Sequence, residues 1–329
     1  MSQLTYLQAI VIGLLQGVSE MFPVSSLGHC IILPALIGGQ WARTLNMTVA
    51  KSPYLSFVVA VHVATALAML VFYRKDWIRI IAGLFSSIWN RRITTYAERL
   101  GWLLVAATIP VGLVGLIFQN VIRTTLGRPK VAAVFLTLNG LLLYGVEKLR
   151  SRSTTGAHAT ANVMTTSHQT DNQLASPGVH STMTTANAVH RNIEDDEAAD
   201  DRLSHRGWGE SIAIGSAQIL ALLPGFSRSG ATIAAGLLRG LDHEDAARFA
   251  FLLATPVILA AGLLELPQLA GPEGHGILGQ VLVGSLVAGV GAYLSLRFLI
   301  RFFHTHTLTP FAIYCTVAGL LSLAWLTFA

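Results

Sequence analysis

The sequence predicts an all-α polytopic membrane protein, with six transmembrane helices plus two re-entrant helical hairpins in an inverted-topology repeat. Three observations lead there. The 329 residues are 53% hydrophobic and only 12% charged, with a mean hydropathy of +0.58, whereas soluble domains carry roughly 25% charged residues. Six apolar runs reach or approach the length that crosses a bilayer. Two further apolar regions, 7–37 and 211–238, are each broken near the centre by Pro, Gly and Ser and each contain a charge.

The N-terminus, MSQLTYLQAIVIGLLQGVSE, has no Lys or Arg before Arg43 and no small-residue cleavage site. It is expected to stay in the mature fold rather than leave as a signal peptide. Region 7–37 reads as two half-helices joined by a turn, because such backbone survives at membrane depth only when buried in protein or lining a polar cavity. Uncharged runs at 55–73 and 102–118 follow, then a shorter run at 131–146 that spans if its flanks extend it to about 20 residues. Residues 151–206 are rich in Ser, Thr, Asn, Ala and His and end in the acidic run EDDEAADD (194–201). With so few large apolar residues to offset ordering entropy, this stretch is expected to be a disordered cytoplasmic linker. Its histidines, His158, His168, His180, His190 and His205, are expected to be solvated. The second broken region, 211–238, and runs at 249–264, 277–296 and 307–329 complete the chain. The organisation is thus a first repeat over 1–150, the linker over 151–206 and a second repeat over 207–329.

Charge sets the orientation. The loop 74–101 carries Arg74, Lys75, Arg79, Arg91, Arg92 and Arg99, whereas 265–276 has no Lys or Arg, which places the first inside and the second outside. The two broken regions then enter from opposite faces. They also echo each other: QGVSEMFPVSSLGH (16–29) and QILALLPGFSRSGAT (218–232) both begin with Gln, break at Pro and turn through serines and Gly. Opposed repeats of this kind place a binding site near the midplane, where the broken helices meet. The net charge of +5 follows from loop residues that set topology, and no basic stripe points to nucleic acid. Cys30 and Cys315 lie in apolar stretches without CxxC spacing and are read as packing residues.

The chemistry-bearing residues sit in the two breaks. Gln16 and Glu20 share a helix face, one turn apart. Ser25, Ser26, Gly28 and His29 follow Pro23, and the second break supplies Ser227, Arg228, Ser229, Gly230 and Thr232. Ionisable groups at the membrane centre are costly enough to suggest a function. Taken singly, the small hydroxyl residues fit ordinary helix contacts as well as a site. Arginine's planar donor fork matches phosphate oxygens, and a helix N-terminus near 231 favours the same anion. An acid beside that anion calls for a cation or a proton, and magnesium commonly binds through one or two carboxylates plus substrate phosphates.

LLQGVSEMFPVSSLGHCIILP and LALLPGFSRSGATIAAGLLRG, with TPFAIY (309–314), resemble the bacitracin-resistance type of undecaprenyl-diphosphate phosphatase over both halves of the chain. The resemblance implies removal of the terminal phosphate from a polyprenyl diphosphate lipid, recycling the cell-wall carrier at the bacterial inner (plasma) membrane with the site open to the outer, periplasmic side. It implies a catalytic set of Glu20, Ser26, His29 and Arg228, substrate contacts from Gln16, Ser25, Ser227, Ser229, Gly230 and Thr232, and a Mg2+ or Ca2+ ion held by Glu20 and Gln16. Many members have Glu where this chain has Gln16, and the linker is longer than is usual. Ser26 is expected either to attack phosphorus or to orient water, with His29 moving a proton. A homo-oligomer is compatible with the sequence. The other lipid-phosphatase superfamily would need His at position 234, which is Ala234. A transporter or flippase for an anionic lipid is the alternative, since opposed broken repeats are a transporter architecture.

Overall fold

A computed structural model describes residues 4–47, 53–121, 127–164, 198–265 and 276–328, and the regular elements among them are helices. Helix α1 (Tyr6–Met21) opens with a capping box in which Thr5 and Gln8 bond each other's backbone N–H. It stops at Phe22, whose extended backbone is what a residue preceding proline prefers. There follow α2 (Ser26–Ile37), α3 (Gly39–Thr44), α4 (Pro53–Phe72), α5 (Arg74–Asn90), α6 (Tyr96–Val121) and α7 (Pro129–Met164). Helix α8 is described over 198–204. The rest of the chain forms α9 (Trp208–Ser216), a 3-10 segment (Ala217–Leu222), α10 (Arg228–Leu238), α11 (His243–Glu265), α12 (Leu278–Phe303) and α13 (Thr309–Phe328).

Among the described residues six helices are long and apolar enough to cross a membrane, and each overlies one of the six predicted runs. The chain is a multi-pass membrane protein. At 1.5 Å per residue the 16 residues of α1 reach about 24 Å, short of the roughly 30 Å hydrocarbon core. The 12 of α2 and the 11 of α10 are shorter still.

Small residues let the helices approach where bulk hydrophobicity gives no drive for association in lipid. Gly13 and Gly17 of α1 lie directly on the backbone of Gly284 and Ala288 in α12, so any side chain there would collide. Gly215 of α9 packs in the same way on Ala107 of α6. Each interrupted segment therefore leans on a spanning helix of the opposite half. Between α7 and α13, Gly140 faces Ala312 and Thr316, and Gly319 faces Thr137.

Two expectations need correction. Residues 74–90 are not loop but the amphipathic helix α5, whose Asp76, Ile80, Gly83 and Ser87 are buried, in part against α6, while Ile78, Ile81, Phe85 and Ile88 are exposed. Its arginines and lysine suggested a break, but the apolar residues between them keep helical spacing. The linker expected over 151–206 is also helical at both described ends; residues 165–197, with His168, His180 and His190, lie outside the described residues, as does the side chain of His158. Of its acidic run, Asp200 is docked rather than solvated, while Asp201 stays exposed. Asp200 is 1% exposed and accepts bonds from Arg248 at 2.9 Å and Arg79 at 3.0 Å. The same two arginines reach Asp76 at 3.0 and 2.6 Å, and Arg202 grips Asp245 through two 2.8 Å bonds. Burial raises the Asp200 carboxyl above its ordinary value and the Arg248 guanidinium opposes the rise. Two carboxylates and two guanidiniums thus close a neutral network joining α5, α8 and α11. His205 is exposed, as expected of the linker histidines.

Candidate active site

Both interruptions become turns that end at a helix N-terminus. In the first, Ser25 takes φ 67° and ψ 93°, a conformation a non-glycine residue adopts only when its surroundings enforce it. Its hydroxyl accepts the Gly28 N–H at 3.2 Å and caps α2. In the second, Ser227 caps α10 by accepting the Gly230 N–H at 3.1 Å. Gly225 precedes it at φ +113°, and a side chain there would enter the backbone of α7 at Ala132 and Leu136, so only glycine fits.

Asn139 of α7, with 0% exposure, ties the turns together. Its Nδ2 donates to the Pro23 carbonyl at 3.1 Å and its Oδ1 accepts the Ser227 N–H at 3.0 Å. Ser229 adds a hydroxyl bond to the Phe22 carbonyl at 3.3 Å. The backbone amides at the starts of α2 and α10 are thereby held near one another, an arrangement suited to an anion.

Glu20 is the hub of the resulting site. It is 6% exposed, and its Oε1 accepts from Arg228 Nη2 at 2.9 Å across the two halves of the chain. Its Oε2 accepts from Ser26 Oγ at 2.5 Å and from Gln16 Nε2 at 2.9 Å. The His62 ring, on α4, stands 3.5 Å from the same oxygen. Glu20, Ser25, Ser26, Ser227 and Arg228 line one cavity of ≈ 150 Å3, together with His62, Gln218 and the apolar Val111, Leu222 and Ile258.

Not every expected residue points there. Thr232 turns its hydroxyl to the Arg228 carbonyl at 2.8 Å, while Ser229 and Gly230 shape the turn without lining the cavity. Gln16 supports Glu20 from behind. His29, expected to converge with the carboxylate, does not line this cavity. Its Nδ1 bonds the Ser25 carbonyl at 2.7 Å, and its Nε2 accepts the Tyr314 hydroxyl at 2.8 Å beneath a stacked ring. The cavity side of α2 is that of Ser26 and Leu27. At 100° per residue His29 is turned about 110° from the direction midway between them. It opens instead onto an apolar groove of ≈ 540 Å3 between α2, α7 and α13.

Three residues were missed from sequence: His62, Asn139 and Gln218. Polar side chains in the middle of apolar runs are costly in a membrane, and VAVHVAT and LTLNGLL carried that signal. Gln218 was noted only as the start of a repeat motif.

The family model described as bacitracin resistance protein BacA matches residues 9–321. The undecaprenyl-diphosphatase of Mycolicibacterium paratuberculosis is 54% identical over 325 residues, covering 99% of this chain and 98% of its own. Undecaprenyl-diphosphatase 2 of Frankia alni is 52% identical over 348 residues, with 98% of each chain covered. At greater distance, undecaprenyl-diphosphatase 2 of Chromobacterium violaceum is 38% identical over 321 residues, covering 96% of this chain and 97% of its own. With the match running through both turns and all six spans, the chain belongs to the bacitracin resistance protein BacA family.

Proposed function

We infer that this chain hydrolyses undecaprenyl diphosphate within the membrane, giving undecaprenyl phosphate and inorganic phosphate. Relatives named undecaprenyl-diphosphatase at 52–54% identity over nearly the whole chain support the activity. The observation that carries the chemistry is the Glu20 carboxylate, bonded to Arg228 on one oxygen and to Ser26 on the other.

The diphosphate enters between the N-termini of α2 and α10, where Arg228 offers its remaining donors to the phosphate oxygens. Stabilisation of charge developing in the transition state is the main catalytic contribution. The Ser26 hydroxyl already donates to Glu20, which favours Ser26 as nucleophile. Its Oγ bonds the terminal phosphorus, the anhydride P–O bond breaks, undecaprenyl phosphate leaves and the proton passes to Glu20. Water then attacks the phosphoserine, the P–Oγ bond breaks, Glu20 returns its proton to Oγ, and inorganic phosphate leaves while water's surplus proton passes to solvent. The apolar walls exclude bulk water and strengthen these interactions.

The magnesium or calcium ion implied by the resemblance fits the donors present. Glu20 offers a carboxylate and Gln16 an amide oxygen after a half-turn of its amide. Gln218 Oε1 is buried without a hydrogen-bond partner. When bound, the ion neutralises charge on the diphosphate. Among the described residues no three His, Cys, Asp or Glu cluster as a ready metal site, consistent with an ion completed by substrate phosphates. The basic residues of 74–101 support an inner-membrane orientation with that segment inside and the first turn entering from outside. The packing of α1 on α12 and of α9 on α6 supports two re-entrant hairpins exchanged between inverted halves.

Phosphate release from a polyprenyl diphosphate in detergent tests the assignment, with and without a chelator. Release by the wild type that falls to background in Arg228→Ala is expected. Release that persists in that variant removes Arg228 from the mechanism, and no release by the wild type returns the chain to the transporter reading.

A further inference from the structure

Two further polar side chains, His62 and Gln218, line the cavity beside Glu20. His62 lies on α4, a spanning helix outside both turns, with Nε2 3.5 Å from Glu20 Oε2. Its other ring nitrogen, Nδ1, sits 2.8 Å from the Val58 carbonyl. A carbonyl only accepts, so Nδ1 donates to it, and Nε2 is the ring atom turned to the carboxylate. A ring whose far N–H is fixed by a backbone carbonyl is the usual setting of a metal-bound histidine. On the opposite wall of the cavity, Gln218 is 1% exposed and its Oε1 has no hydrogen-bond partner. In the repeat it stands where Gln16 stands in the first half.

We propose that His62 is a ligand of the divalent cation held at Glu20, with the Gln218 oxygen as a further ligand. The assignment rests on the phosphatase reading, because that reading is what brings a cation to this cavity. An imidazole in an otherwise oxygen site shifts preference from magnesium and calcium toward manganese and later divalent ions. It also restores a strong donor where Gln16 replaces a carboxylate.

The test is pulsed electron paramagnetic resonance of the full chain loaded with Mn2+ in detergent, with His158, His168, His180 and His190 replaced by Gln to remove linker ligands. A directly coordinated 14N coupling is expected, converting to a 15N coupling when histidine alone is 15N-labelled, which needs no variant at the site. The coupling should survive His29→Ala and vanish in His62→Gln. In His62→Ala the Mn2+ affinity should fall by on the order of ten- to a hundredfold. Absence of nitrogen coupling in a wild type that binds one Mn2+, its persistence in His62→Gln, or failure to bind Mn2+ at all overturns the proposal. Phosphate release measured on the same sample keeps the two readings apart. Release without nitrogen coupling sinks the ligand assignment alone, and coupling without release sinks the phosphatase reading alone.

Discussion

Replacing Asn139 by Ala removes a side chain of α7 that bonds both turns. The Ser227 N–H and the Pro23 carbonyl then lose their partner in a place with 0% exposure. A buried polar group left unpaired costs about 1–3 kcal/mol. The low end applies here, because the Cys315 thiol, 3.7 Å from the Pro23 carbonyl, remains a weak substitute and because interhelical hydrogen bonds in membranes average about 0.6 kcal/mol. The expected total is therefore about 2–3 kcal/mol, read from equilibrium unfolding in mixed micelles as SDS is raised. Asn139→Leu keeps the volume while removing both bonds, so it should lose nearly as much, which separates hydrogen bonding from packing. Turnover should fall further than stability suggests: the turns carry Ser26 and Arg228, and a misplacement of about 1 Å costs on the order of a hundredfold in rate. Asn139→Ala within about 0.5 kcal/mol of wild type, with normal turnover, would refute the claim that this amide positions the site.

Two more outcomes follow from the same geometry. Gln16→Glu places a second carboxylate against Glu20 Oε2, now bonded to the Gln16 amide at 2.9 Å. The pair should demand a cation, so half-maximal phosphate release should need several-fold less Mg2+ than in the wild type; an unchanged metal titration contradicts this. Asp200→Leu strips the buried Arg248 and the half-buried Arg79 of one shared carboxylate and should destabilise by about 3–5 kcal/mol. Equal midpoints for the wild type and Asp200→Leu would show that α8 contributes nothing.

The six spans were legible because long uncharged runs have one inexpensive solution in a bilayer. The two turns were legible because proline, glycine and serine beside Glu20 and Arg228 have no place in a continuous span. Helix α5 was missed since its arginines and lysine mask an amphipathic period, and α8 since the burial of Asp200 depends on Arg248 and Arg79, distant in sequence. Linear order also misled about His29: three residues from Ser26 is near along the chain, but the rotation of α2 sends it to Tyr314. Conversely, His62 and Asn139 reach the site only because α4 and α7 pass beside the turns, which no local motif encodes.

The account's central claim is that Glu20 and Arg228, 208 positions apart, act as one unit on a diphosphate. A double-mutant cycle on kcat/KM for phosphate release measures it most directly, using Glu20→Gln, Arg228→Ala and the pair. Each single change should cost on the order of a thousandfold or more, as loss of a preorganised donor does. The double variant should be little worse than either single one, as residues acting together behave. Fully additive losses, or a single variant near the wild-type rate, would contradict it.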